Sequence, residues 1–239
     1  MALRGGQRSQ SETLAQAGPA RRPTIAEIAL SDRPETWREL GFELQEDSFG
    51  VGSVTFRLVG DPGQHGIVEW SLRDVISADL DGLPTRLTRL FPVAGGRHPN
   101  GALAVDHVVV VTPSLDRTAA ALDDAGIKLR RVREAGSPRA PARQGFFRLG
   151  EVILEVVQPA APEDGGEAEA KVPDPSDPAR FWGVVFVVAD LEQLGALLGD
   201  RLGDPRDAVQ PGRRIATLRA SAGVSVPVAF ITREPARET

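Results

Sequence analysis

The chain has 239 residues, 41% of them hydrophobic, which allows a real core as one large domain or two small ones. Its formal net charge is −5 with both signs interspersed, and no basic patch carries interleaved aromatics, which argues against nucleic acid as a partner. Cysteine is absent, so disulfides, thiolate metal sites and cysteine nucleophiles are excluded, and a reducing, cytoplasmic location is the expectation.

No run approaches the roughly 18 apolar residues of a membrane span, so no membrane partner is expected. Residues 1–22 hold Arg4, Arg8, Arg21 and Arg22 but no apolar core. They read as a disordered leader, or a start placed too early, and not as a secretory signal. A first segment, 23–75, then runs strand, helix and two or three strands. PTIAEIAL is the strand, Ser31-Asp32 offers a helix cap, and Gly41 ends a short helix over 35–40. Residues 52–59 alternate as a strand does, Asp61-Pro62-Gly63 is a turn signal, and 66–72 (GIVEWSL) is a further strand. Residues 76–103 are a connector whose early part could be helical. Its turn-rich end, 92–101, reads as an exposed loop carrying a solvated His98.

The most informative stretch is 104–159. Residues 105–111 form a dense β-branched strand. A helix follows over 115–125, started at Ser114 and stopped by Gly126. Strands are expected over 127–133, 145–149 and 151–157, with a Pro- and Arg-rich hairpin loop over 137–143. In the last strand Val152, Leu154 and Val156 share one face; Glu151, Ile153, Glu155 and Val157 share the other. Residues 160–180 are acidic and rich in Ala, Pro and Gly, the composition of a flexible linker. A third segment, 181–233, repeats the order: strand FWGVVFVVA, a helix from Asp190 to about Leu202, and closing strands over 213–220 and 224–232.

Details repeat as well as order. Each first strand leads to a cap residue, Asp32, Ser114 or Asp190, and each third strand carries an arginine, Arg57, Arg148 or Arg219. The last strands align as GIVEWSL, VILEVVQ and VPVAFIT, which puts Glu69, Glu155 and Ala229 in one column. Counting back from the caps puts Ile25, His107 and Gly183 in another.

The sequence DHVVVVTPSLDRTAAALDDAGI, with RQGFFRLGEVILEVVQP after it, resembles the βαβββ module of the vicinal oxygen chelate superfamily, which includes glyoxalase I, extradiol dioxygenases and bleomycin-resistance proteins. The match is good over 104–159, moderate over 181–232 and weak over 23–72. The resemblance implies an α+β protein of about three repeated βαβββ modules, with curved mixed sheets and helices outside. It implies a pocket between two modules and a divalent metal, Zn, Ni, Mn or Fe, held by first-strand and last-strand residues. The ligands so implied are His107 and Glu155, with Glu155 also a candidate catalytic base. The third segment departs from the pattern, because Gly183 and Ala229 cannot chelate. Glu69, and Glu27 on the first strand, are the substitutes the first segment offers. The central and third modules make the better structural pair; the first and central make the better ligand set. A second copy of the chain, in a homodimer, is the other source of a partner for the odd module.

Each candidate has a plainer reading. His107 could be a hydrogen-bonded strand histidine, and Glu155 a carboxylate satisfied by an arginine on a neighbouring strand. Arg148 could bind an anionic substrate, since arginine recognises carboxylates bidentately, but its repetition at Arg57 and Arg219 argues for a structural role. His65 follows a turn and reads as surface, and 212–214 (GRR) reads as a solvated hairpin. Two expectations result. One is a glyoxalase-like, metal-dependent lyase, isomerase or dioxygenase acting on a small oxygenated substrate. The other is a metal-free protein that binds or sequesters a small molecule with a degenerate metal site.

Overall fold

A computed structural model describes residues 22–234, except 62, 93–94, 138–139 and 160–173. The expected leader and most of the expected linker lie outside the described residues. The first segment comprises β1 (Thr24–Leu30), α1 (Pro34–Glu39), β2 (Ser48–Val51), β3 (Val54–Leu58) and β4 (Ile67–Arg73). Among its described residues the connector holds no helix; it contributes a short strand, β5 (Thr85–Leu87). The central stretch comprises β6 (Ala102–Val111), α2 (Leu115–Asp124), β7 (Leu129–Ser137), β8 (Ala140–Leu149) and β9 (Val152–Gln158). The last comprises β10 (Arg180–Val188), α3 (Leu191–Leu198), β11 (Arg206–Asp207), β12 (Arg214–Thr217) and β13 (Val228–Thr232).

The strands form two mixed sheets, in the order β2-β3-β1-β4-β5 and β11-β12-β13-β10-β6-β9-β8-β7. The larger sheet is two copies of one arrangement. In each, the first strand runs parallel to the fourth, which is followed outward by the third and second. The copies meet where β6 and β10 pair antiparallel. One face of this sheet carries Val108, Val110, Leu154, Val156, Val184, Phe186, Val228 and Phe230, all buried, with α2 and α3 on the same side. The helices begin as their cap residues require. Ser114 Oγ accepts from the Arg117 N–H at 3.4 Å, and Asp190 Oδ1 accepts from the Glu192 and Gln193 N–H groups at 2.7 and 3.2 Å. In α2, Leu115, Thr118 and Leu122 face the sheet.

The first segment follows a different strand order, and this changes its alignment with the others. The strand parallel to β1 is β3, not β4; β4 lies antiparallel on the other side of β1, where β10 lies relative to β6. The position matching Glu155 is therefore Thr55, which pairs with Glu27 as Glu155 pairs with Val109. Asp32 also departs from its expected role. It does not cap α1, whose start at Pro34 has no side-chain cap. Its carboxylate instead accepts from the Trp37 indole N–H at 3.0 Å and the Ser225 N–H at 2.8 Å, which ties the first segment to the last.

Aromatic packing joins the two sheets. Trp37 lies 5.2 Å from Phe42 and from Phe49, and 6.2 Å from Phe186 of the larger sheet. Phe186 in turn lies 5.2 Å from Phe56 and 5.8 Å from Phe230. Such ring pairs contribute about 0.5–1.5 kcal/mol each beyond the area they bury.

His98 is the clearest departure from the sequence reading of the connector. It is 8% exposed and packs on Phe42. Its Nδ1 accepts the Glu43 N–H at 3.0 Å, which leaves the proton on Nε2 to donate to the Gly50 carbonyl at 2.8 Å. Asn100, 2% exposed, donates to the Leu40 carbonyl and accepts from the Ala102 N–H. Residues that usually mark an exposed turn here satisfy backbone groups left over by α1 and β2. His98→Ala removes the partner of the Glu43 N–H and one of two donors to the Gly50 carbonyl, which keeps the Gly96 N–H at 3.2 Å, at an expected cost of about 1–3 kcal/mol in all. Urea unfolding should show a loss of about 1 kcal/mol or more; a change under about 0.5 kcal/mol would place His98 in solvent.

Candidate functional site

The other face of the larger sheet is open. Across it runs a cleft of about 350 Å³, floored by Val109, Val157, Val185, Ala229 and Ile215 and reached by His107 and Glu155. Glu155 projects here because β9 alternates as its sequence reads: Leu154 and Val156 point into the core. His107 needs more explanation, because Asp106 beside it points the same way. A β-bulge resolves this. His107 pairs with Val185 and Val105 pairs with Phe186, so Asp106 is an extra residue in β6. Val105 and Val108 stay buried, while Asp106 and His107 both turn toward the cleft side.

The bulge builds a row of charged groups. His107 Nδ1 lies 2.8 Å from Asp106 Oδ2, so Nδ1 carries the proton and donates. Asp106 Oδ1 accepts from Arg213 at 2.6 Å, and Arg213 also donates through Nε to the Thr232 carbonyl at 2.8 Å. The Asp106 and Arg213 side chains are only 10% and 5% exposed. Burial raises the Asp106 carboxyl, but the hydrogen bonds from His107 and Arg213, with their charges, hold it below the ordinary carboxylate value. In this tautomer the His107 Nε2 presents its lone pair beside Glu155, whose Oε2 is 3.6 Å away. Arg213, read from sequence as part of a solvated hairpin, thus anchors the histidine from the residue before β12, a strand three positions from β6 in the sheet order. The adjacent Asp-His pair on a β-branched strand was the one local signal for the bulge.

The structure brings together His107 and Glu155 but not the other sequence candidates. Glu69 lies on β4 in the smaller sheet and is ion-paired with Arg86. Glu27, also there, takes Arg57 Nε at 2.9 Å. The strand order places both away from the cleft, and each is satisfied by an arginine on a neighbouring strand. Arg148 is exposed and donates to the Glu151 carbonyl of its own hairpin at 3.1 Å, outside the cleft lining. His65 is exposed, as expected.

The opposite half of the cleft explains the missing ligands. The β10 strand has its own bulge, at Trp182, in the place of Asp106. The residue in the place of His107 is Gly183. A Cβ there would lie 2.7 Å from the Pro227 carbonyl oxygen, which is bonded to the Val184 N–H at 3.0 Å. Glycine is required by this close approach. Ala229, opposite Val185, holds the place of Glu155. Trp182, 51% exposed, fills space at this end.

An imidazole nitrogen and a carboxylate oxygen are suitable donors for Mn, Fe, Ni or Zn, and a carboxylate behind the imidazole is a familiar support for a metal-binding histidine. Among the described residues no cluster of three or more His, Cys, Asp or Glu could hold an ion. The pair offers an ion two protein donors, one fewer than the three usual at a catalytic metal site.

No family model and no curated protein matches the sequence. Solved structures do match. A mutant of 4-hydroxymandelate synthase from Streptomyces coelicolor aligns over 92% of this chain and 95% of its own, with 15% identity and a TM-score of 0.59. A xylose isomerase-like TIM barrel/4-hydroxyphenylpyruvate dioxygenase fusion protein aligns over 96% of this chain and 52% of its own, with 12% identity and a TM-score of 0.57. At these identities the likeness is one of fold: an α+β chain built on mixed sheets. No described helix is long and apolar enough to cross a membrane.

Two variants test this geometry. Asp106→Ala leaves the Arg213 guanidinium buried without its carboxylate, at an expected cost of about 3 kcal/mol near neutral pH. Because the folded Asp106 carboxyl lies below its unfolded value, its contribution is complete above about pH 4 and is lost as pH falls through the folded value. The gap in urea stability between wild type and variant should therefore close on acidification; a gap independent of pH would remove the ion pair from the account. Gly183→His, which restores the absent ligand by sequence, should lower the melting temperature and add no metal affinity, since β13 blocks the new side chain.

Proposed function

We propose that the protein is a glyoxalase-like enzyme that acts on a small oxygenated substrate with the help of a divalent ion at His107 and Glu155. The observation that carries this reading is the convergence of His107 Nε2 and Glu155 Oε2, 3.6 Å apart in an apolar cleft, with Asp106 and Arg213 fixing the imidazole from behind. Fold likeness to 4-hydroxymandelate synthase and the dioxygenase fusion supports, within that class, a dioxygenase type. A bound ion would supply Lewis-acid stabilisation of an enolate or oxyanion.

The remaining roles belong to the chain. Val109, Val185 and Ala229 remove water from around a bound substrate, which strengthens its polar contacts with the pair. Asp106 keeps the His107 proton on Nδ1, so Nε2 stays available as a donor of its lone pair. Glu155 Oε2 has no hydrogen bond within the described residues and can take a proton from a substrate carbon or hydroxyl held beside it. A lyase activity, a cytoplasmic location and a homodimer belong to the same proposal.

The empty column at Gly183 and Ala229 favours a second reading, a metal-free binding or sequestration protein in which His107 and Glu155 only hydrogen-bond the ligand. Equilibrium dialysis against Mn, Fe, Ni or Zn, with metal counted by mass spectrometry, separates the two. The enzyme reading expects one ion per chain and a rise in melting temperature, corresponding to about 2.7 kcal/mol at 100 times the dissociation constant. Both should disappear in His107→Ala and Glu155→Gln. No bound ion and no thermal shift with any of the four would leave the binding protein as the account.

A further inference from the structure

The cleft holds a charged group that the proposed chemistry does not use. Arg206 lines it from β11, directly opposite Ile215 of β12, which also lines it. Residues opposite one another in an antiparallel pair share a face, so Arg206 stands on the side of the sheet that carries His107 and Glu155. Other arginines near β-strand faces are engaged: Arg213 with Asp106, Arg57 with Glu27, Arg86 with Glu69, Arg143 with Asp116. Arg206 has no hydrogen bond or ion pair with any described residue.

Position along the sheet gives this cation a meaning. Strand order places β11 four steps from β6, about 19 Å between backbones at the usual spacing, a gap the two side chains shorten. The floor between them is Ile215, Ala229 and Val185. The trough therefore has an unpaired guanidinium at one end, an apolar middle, and a carboxylate with an imidazole at the other. An anionic group gains charge-assisted hydrogen bonds at Arg206 and meets like charge at Glu155, so only one direction of binding is favoured. One guanidinium matches one negative charge; a phosphomonoester, carrying nearly two, would leave charge uncompensated.

Resting on the reading of the cleft as a small-molecule site, we infer that its ligand is an elongated organic carboxylate: the acid on Arg206, an apolar body on Ile215, Ala229 and Val185, and the oxygenated end at His107 and Glu155. Arg206 is then the residue that selects acids over neutral analogues.

The test uses the full chain and a series of ω-phenylalkanoates, from phenylbutyrate to phenylhexanoate, each compared with its primary amide by isothermal titration. At least one acid should bind about tenfold more tightly than its amide, a difference of about 1.4 kcal/mol. Arg206→Met should reduce the acid to the affinity of the amide, leaving amide binding and melting temperature unchanged. Arg214→Met, altering an exposed arginine next in the same hairpin, should leave the ratio intact. Equal affinities of acid and amide for wild type, or a ratio unmoved by Arg206→Met, overturns the role of Arg206 while keeping the cleft a ligand site. No binding by any acid overturns the inference outright. The metal titration of His107→Ala and Glu155→Gln needs none of these acids, so the two proposals fail separately.

Discussion

The antiparallel pairing of β6 with β10 is the contact on which the larger sheet depends. It joins two copies of one strand arrangement into a single eight-stranded surface, and neither copy has a cleft without it. The two strands interrupt the ladder in an equivalent place, at Asp106 and at Trp182, and β6 does so again at Leu103. A bulge turns two consecutive side chains to one face. In β6 that yields a carboxylate and an imidazole side by side; in β10 it yields an indole and a glycine. The two halves of the cleft thus share a backbone and differ in chemistry.

Much of this was legible in the sequence, for reasons that can be stated residue by residue. The alternation of VILEVVQ assigned Glu155 to the face opposite Leu154 and Val156, because a period of two leaves no choice once one face is buried. Ser114 and Asp190 marked helix starts that their side chains do cap. The columns His107 with Gly183 and Glu155 with Ala229 match the observed register. Where the reading fell short, the deciding fact was tertiary. GIVEWSL looks like a last strand, but nothing local says on which side of β1 it will lie. His98 and Asn100 carry loop chemistry, and only the packing of α1 against β2 shows that the groups they satisfy are buried ones.

The site was half visible for a related reason. Asp106 lies next to His107 in sequence, and alternation would send the two to opposite faces; the bulge that unites them follows from pairing with a strand some 80 residues away. Arg213 sits in a Gly-Arg-Arg turn whose composition suggests solvent, yet it is among the most buried charged residues described. Arg148 was singled out because its residue type suits an anion, whereas exposure and a local carbonyl partner decide its role. Residue type nominates a charge for a site, and sheet register determines whether it arrives there.

The carbonyl of Pro227 has a consequence for how such a cleft can change over generations. With glycine at position 183, the residue before β13 sits close enough for that oxygen to occupy the space of a side chain. A change to histidine meets an occupied volume, and Pro227 would have to withdraw first, breaking its bond to the Val184 N–H. The asymmetry of the two halves is therefore held in place by packing. New function on this scaffold is reached more readily by changing what surrounds His107 and Glu155, as at Trp182 or Ala229, than by rebuilding the ligands on the other side.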